Sequence, residues 1–138
     1  MNPKILHLTY DYSKENLGKS TIVIASLINA ISENQEQRVI SLERNLYPIY
    51  LFPKIYLQDN FLYKINHFGL PLGILLYRIS KMLANYFIKK IDFRDIEIIH
   101  AHKLTFEGFI GFNIAKKLNK KLILSVRQTD FYVLKYRK

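Results

Sequence analysis

An α/β fold, with a parallel sheet carrying helices on both faces, is what this 138-residue sequence predicts. Three observations lead there. Short apolar runs of strand length alternate with amphipathic stretches of helix length. The first 42 residues read strand, loop, helix, strand, the order of a βαβ unit. The last third repeats that order, and such alternation argues a parallel sheet covered on two sides.

Taken in order, "KILHLTY" (4–10) is a short apolar run bounded by a polar loop, and so a strand. In "STIVIASLINAIS" (20–32) the apolar residues Ile22, Val23, Ala25, Leu27, Ala30 and Ile31 recur at helical spacing, with Ser20 placed as an N-cap. "RVISL" (38–42) is the second strand. Residues 43–70 are rich in aromatics and broken by Pro48 and Pro53, which reads as a long excursion with short extended pieces. Residues 71–91 form the clearest helix: Pro71 suits the first turn, Leu72, Leu75, Leu76, Ile79, Leu83, Tyr86 and Phe87 make a stripe, and Lys89 and Lys90 suit the negative end of the helix dipole. "IEIIHAH" (96–102) is a third strand. Residues 105–119 are a third helix, with Thr105 as cap and Asn119 as stop. "KLILSV" (121–126) is a fourth strand.

Composition bounds the rest. The length suits one domain spanning 1–138, and 49% apolar residues exclude a disordered chain. The chain has no cysteine, which excludes disulfides and thiolate metal sites and fits a reducing, cytoplasmic compartment. The apolar stretch 65–77 is too short to span a bilayer, which takes about 20 residues. A net charge of +10 points to anionic partners, although the same Lys-, Ile- and Asn-rich bias follows from an AT-rich coding sequence.

Ligands of open α/β sheets bind beyond the carboxyl ends of the strands, so three segments carry the functional candidates: 11–20, 100–107 and 127–130. Gly18-Lys19-Ser20-Thr21 is reminiscent of a P-loop, but the required earlier glycine is replaced by Ser13. A glycine-containing loop at a helix N-terminus still attracts phosphate, and it equally serves as a plain turn. His100 and His102 lie two apart at a strand end, which puts both on one face. A zinc site needs further ligands that the nearby sequence does not declare, so no metal is expected. Glu107 opens a helix, where a carboxylate is favoured electrostatically. Arg127 binds anions but cannot act as a base. Asp130 is the nearest carboxylate able to take a proton, orient a hydroxyl, or cap the next helix.

The order and spacing of these segments resemble the N-terminal domain of the family-four glycosyltransferases. The resemblance rests on "KILHLTYDYSKENLGKSTIVIASLINAIS" and, more closely, on "DIEIIHAHKLTFEGFIGFNIAKKLNKKLILSVRQTD", leaving about 43–90 unmatched. It implies a Rossmann-like three-layer domain, the acceptor-side half of a GT-B fold. It further implies a nucleotide-sugar donor, a glycan or lipid-linked acceptor, no cofactor, and peripheral contact with the inner face of a membrane. By the same resemblance Gly18, Lys19 and Ser20 approach the donor phosphates, His100, His102 and Glu107 line the acceptor pocket, and Arg127 and Asp130 take catalytic positions. Many relatives carry histidine where this chain has Arg127, so the base stays unassigned. The family's Glu–x7–Glu pair is missing, since no two of the six glutamates are eight positions apart. The donor-binding domain is therefore expected outside these 138 residues, and the chain alone should be weakly active or inactive, with an apolar face for that domain or for self-association. The alternatives are a small basic module binding membrane or nucleic acid and, third, a nucleotide hydrolase.

Overall fold

The computed structural model describes residues 4–10, 12, 22–32, 34–46, 53–59, 61–69, 75–127 and 130. The described elements are β1 (Lys4–Thr9), α1 (Ile22–Ser32), β2 (Gln37–Asn45), β3 (Lys54–Asp59), β4 (Leu62–Phe68), α2 (Leu76–Lys90), β5 (Ile96–Ala101), α3 (Phe106–Leu118) and β6 (Lys121–Leu124). The six strands form one sheet in the order β3-β4-β2-β1-β5-β6. All neighbours pair in parallel except β3, which runs antiparallel to β4 at the edge.

Neighbouring residues on a strand point to opposite faces, and the two cores follow that rule. Leu6, Leu8, Ile40, Leu42, Ile65 and Ile99 point to one side, where they meet Leu83 and Phe87 of α2 and Ile110 and Ile114 of α3. Val39 and Leu62 point to the other side, against Ile24 and Ile28 of α1. Helices therefore cover both faces, as expected. Phe87 is fully buried, and burial of such a side chain stabilises by about 1.5–3 kcal/mol. Gly111 lets α3 approach the sheet closely: a Cβ there would lie 3.1 Å from Leu122 and 3.3 Å from Leu8.

The excursion expected at 43–70 needs correction. β2 continues to Asn45, and β3 pairs antiparallel with β4, which is inserted beside β2. The sheet thus has six strands where the sequence suggested four, and it is antiparallel at one edge. Pro53 sits just before the edge strand, a position where its missing N–H is tolerated. The helix expected from Pro71 is described from Leu76 onward, preceded by Leu75 in a left-handed conformation (φ 56°). Thr105 makes no side-chain cap to α3, whereas Asn119 is left-handed (φ 52°) and ends it as expected.

β1 is the strand at which the connectivity reverses. From it the chain passes through α1 to β2 on one side, while β5 lies on its other side. In open α/β sheets ligands bind at such a switch point, here beyond the carboxyl ends of β1 and β5. At the opposite end, Lys4 bonds Glu36 and Asp95, and Arg38 bonds Asp95 at 3.0 Å and the Asp92 carbonyl at 2.7 Å. Part of the positive charge is thereby consumed structurally.

Candidate functional site at the carboxyl edge of the sheet

Three histidines meet on the α1 face of the switch point. His7 of β1 and His100 of β5 are register partners on adjacent strands. His102 follows two residues later, where its backbone N–H extends the ladder to the Leu8 carbonyl at 3.1 Å. The expected common face of His100 and His102 is seen directly, with ring centroids 4.2 Å apart. His7 lies 5.3 Å from the His100 ring and 5.2 Å from that of His102. A hydrogen bond of 2.9 Å joins His7 Nδ1 to His102 Nε2, and His100 Nε2 meets Ser125 Oγ at 2.7 Å.

These imidazoles are neutral at physiological pH. Burial, followed by the charge of His100, pushes His7 down to about 4, with the Gln37 carboxamide working the other way. Burial pushes His102 down to about 3, assisted by His100, His7 and the Arg127 guanidinium. Burial also lowers His100. Groups shifted so far are poor proton acceptors near neutrality, and they serve instead as hydrogen-bonding groups or metal ligands. His7 and His102 are enclosed, whereas His100 is half-buried and the most accessible of the three.

Arg127 and Asp130 follow β6 at the same end of the sheet. Asp130 is 3% exposed; its Oδ2 accepts the Arg127 N–H at 2.8 Å and the Leu104 N–H at 3.4 Å. Its own N–H donates to the Arg127 carbonyl at 2.9 Å. This carboxylate therefore fastens the turn after β6 to the loop after β5, and the half-buried Arg127 stands at the head of that turn.

Glu107 is also buried, in the first turn of α3, and its Oε1 accepts the Tyr10 N–H at 3.1 Å. It ties the exit of β1 to α3. Beside it on the α2/α3 face lies a second polar group. Tyr10 Oη donates to His67 Nε2 at 2.5 Å, His67 Nδ1–H donates to the Phe68 carbonyl at 2.9 Å, and the His67 ring stacks on Phe106 at 5.1 Å. Burial, then the Glu107 charge, raises Tyr10, while burial lowers His67 against the pull of the Phe68 carbonyl. Gly18, Lys19 and Ser20 lie outside the described residues.

His7 and His67, which no motif in the sequence singles out, are both buried. The signal for His7 was present. Once β1 and β5 are parallel neighbours, the pairing that sets Leu8 beside Ala101 also brings His7 level with His100. Compared with known proteins, the chain matches no family model, no curated protein and no solved structure.

Proposed function

We propose that this chain is the acceptor-side domain of a glycosyltransferase, which moves a sugar from a nucleotide-sugar donor to a glycan or lipid-linked acceptor. In this reading the sheet is the first Rossmann-like half of a GT-B pair. The observation that supports it is the meeting of the His100–His102 strand end with the Arg127–Asp130 turn at the β1/β5 switch point. Switch points of that kind take ligands in open α/β sheets. His100 and Ser125 offer neutral hydrogen-bonding groups suited to sugar hydroxyls. Arg127 offers a permanent cation for an acceptor phosphate or a leaving diphosphate, and Asp130 holds it there. The loop with Gly18, Lys19 and Ser20 contributes to the donor phosphates by resemblance alone. In this reading the remaining donor contacts come from a second Rossmann-like domain.

A second reading, a basic module seated on an anionic membrane, is favoured by the outer surfaces of α2 and α3. Tyr77, Met82, Phe109 and Phe112 are exposed there among Arg78, Lys81, Lys116 and Lys117. Tyr77 packs on Phe109 at the seam between the helices, and α2 carries no acidic residue. Binding at low and high salt separates the two. A glycan array should retain sugar binding at high salt and lose it in Arg127→Ala. A response confined to anionic vesicles or RNA and abolished by salt would replace the first reading with the second.

A further inference from the structure

We infer that His7, His100 and His102 form a binding site for a zinc ion, with three imidazole nitrogens as protein ligands and water in the fourth position. The inference is independent of the proposed glycosyl transfer, since it concerns metal affinity without substrate.

The geometry needed is close to the geometry present. One ring nitrogen from each of the three histidines lies within 4.8 Å of the others. Nitrogens on a tetrahedral zinc with bonds of 2.0–2.1 Å stand about 3.3 Å apart. His7 Nδ1 and His102 Nε2, at 2.9 Å, need separate by only about half an ångström to admit the ion. Two of the three side chains come from paired residues of adjacent strands, so the backbone holds the set with little freedom.

The surrounding groups fit the same assignment. A ligating histidine normally donates its other ring N–H to a supporting acceptor, which fixes tautomer and orientation. His100 Nε2 meets Ser125 Oγ at 2.7 Å, and as the donor there it leaves Nδ1 to ligate. His7 Nε2 and Gln37 Oε1 are both buried and without a hydrogen-bond partner among the described residues. With Gln37 already acting on His7, Oε1 can accept Nε2–H, which leaves the Nδ1 lone pair to ligate. An all-imidazole set selects zinc and its transition-metal neighbours over calcium or magnesium, which take oxygen ligands. The nearby Arg127 guanidinium opposes added positive charge and so weakens the site.

The test uses the tag-free full chain, stripped with chelator, then equilibrated with zinc or cobalt. One zinc per chain is expected, with the intense visible bands of tetrahedral cobalt. Imidazole ¹⁵N resonances of His7, His100 and His102 should shift together on zinc addition, and His67 should not move. His100→Asn should weaken binding by more than about 100-fold and Ser125→Ala by about tenfold, whereas His67→Asn should leave it unchanged. If a variant does not fold, the wild-type ring resonances still decide the matter. No uptake at about 1 mM zinc, an octahedral cobalt spectrum, or shifts confined to His67 would overturn the site.

Discussion

Tyr10 Oη donates to His67 Nε2 across 2.5 Å, joining the exit of β1 to the end of β4, although 57 residues separate them in the chain. β2 lies between these two strands, so the bond spans a neighbour at the carboxyl edge. His67 is almost fully buried, and water cannot replace the phenol. Tyr10→Phe should therefore lower the unfolding free energy by about 1–3 kcal/mol, the penalty of an acceptor left unmet in the interior. Urea titration would show a lower midpoint at unchanged slope. Tyr56→Phe, at an exposed position on β3, should leave the midpoint where it is.

The buried histidines make the metal-free chain acid-labile. In the fold His7 titrates at about 4 and His102 at about 3, both below the ordinary 6.5. Between those values and 6.5 the unfolded chain binds protons that the folded chain refuses. Stability is therefore full above about pH 6.5 and is lost as pH falls toward 4. For His7 alone the loss is roughly 3 kcal/mol, and His67 acts in the same direction. Unfolding free energies measured across that interval should fall steadily with pH; a flat profile would contradict neutral burial of the cluster.

Asp130 is a brace whose removal leaves two backbone donors unmet. Asp130→Ala should destabilise by about 2 kcal/mol or more and speed amide exchange at Leu104 and Arg127. Asp130→Asn keeps an acceptor oxygen and should retain more than half of that stability. Equal losses in the two variants would mean that the carboxylate charge matters more than its hydrogen bonds.

Gly111 sets the spacing of α3 over β1 and β6. A Cβ would press on the methyl ends of Leu122 and Leu8 and on Ala101, at 3.1, 3.3 and 3.4 Å. In Gly111→Ala this crowding opposes a helix-propensity gain of about 1 kcal/mol, leaving little net change. Gly111→Val adds two methyls with no room and a β-branch, and should cost about 2 kcal/mol or more in thermal or chemical unfolding.

The two ends of the chain were legible because β1 is buried along its whole length and β5 lies inside the sheet. "KILHLT" and "IEIIHA" read as near-continuous apolar runs, and the α3 residues that pack on them recur at helical spacing. The middle was opaque for the opposite reason. β3 is an edge strand with Tyr56 and Leu57 exposed, so its apolar residues do not mark a buried face. Half of the site was legible in the same uneven way. His100 and His102 declare themselves by spacing, but His7 joins them only through strand order, and Tyr10 meets His67 only once β4 is placed. Asp130 was read as a carboxylate near Arg127; its bond to Leu104 depends on how two loops pack, which spacing does not encode.

The most direct test of the proposed acceptor-side role is amide and imidazole shift mapping on the ¹⁵N-labelled chain, titrated with a panel of glycans and a lipid-linked sugar at physiological salt. The account predicts saturable, sugar-dependent shifts concentrated at His100, Ser125, Arg127 and Asp130, abolished by Arg127→Ala for anionic acceptors. Shifts absent for every sugar, and confined to α2 and α3 on addition of anionic vesicles, would contradict it.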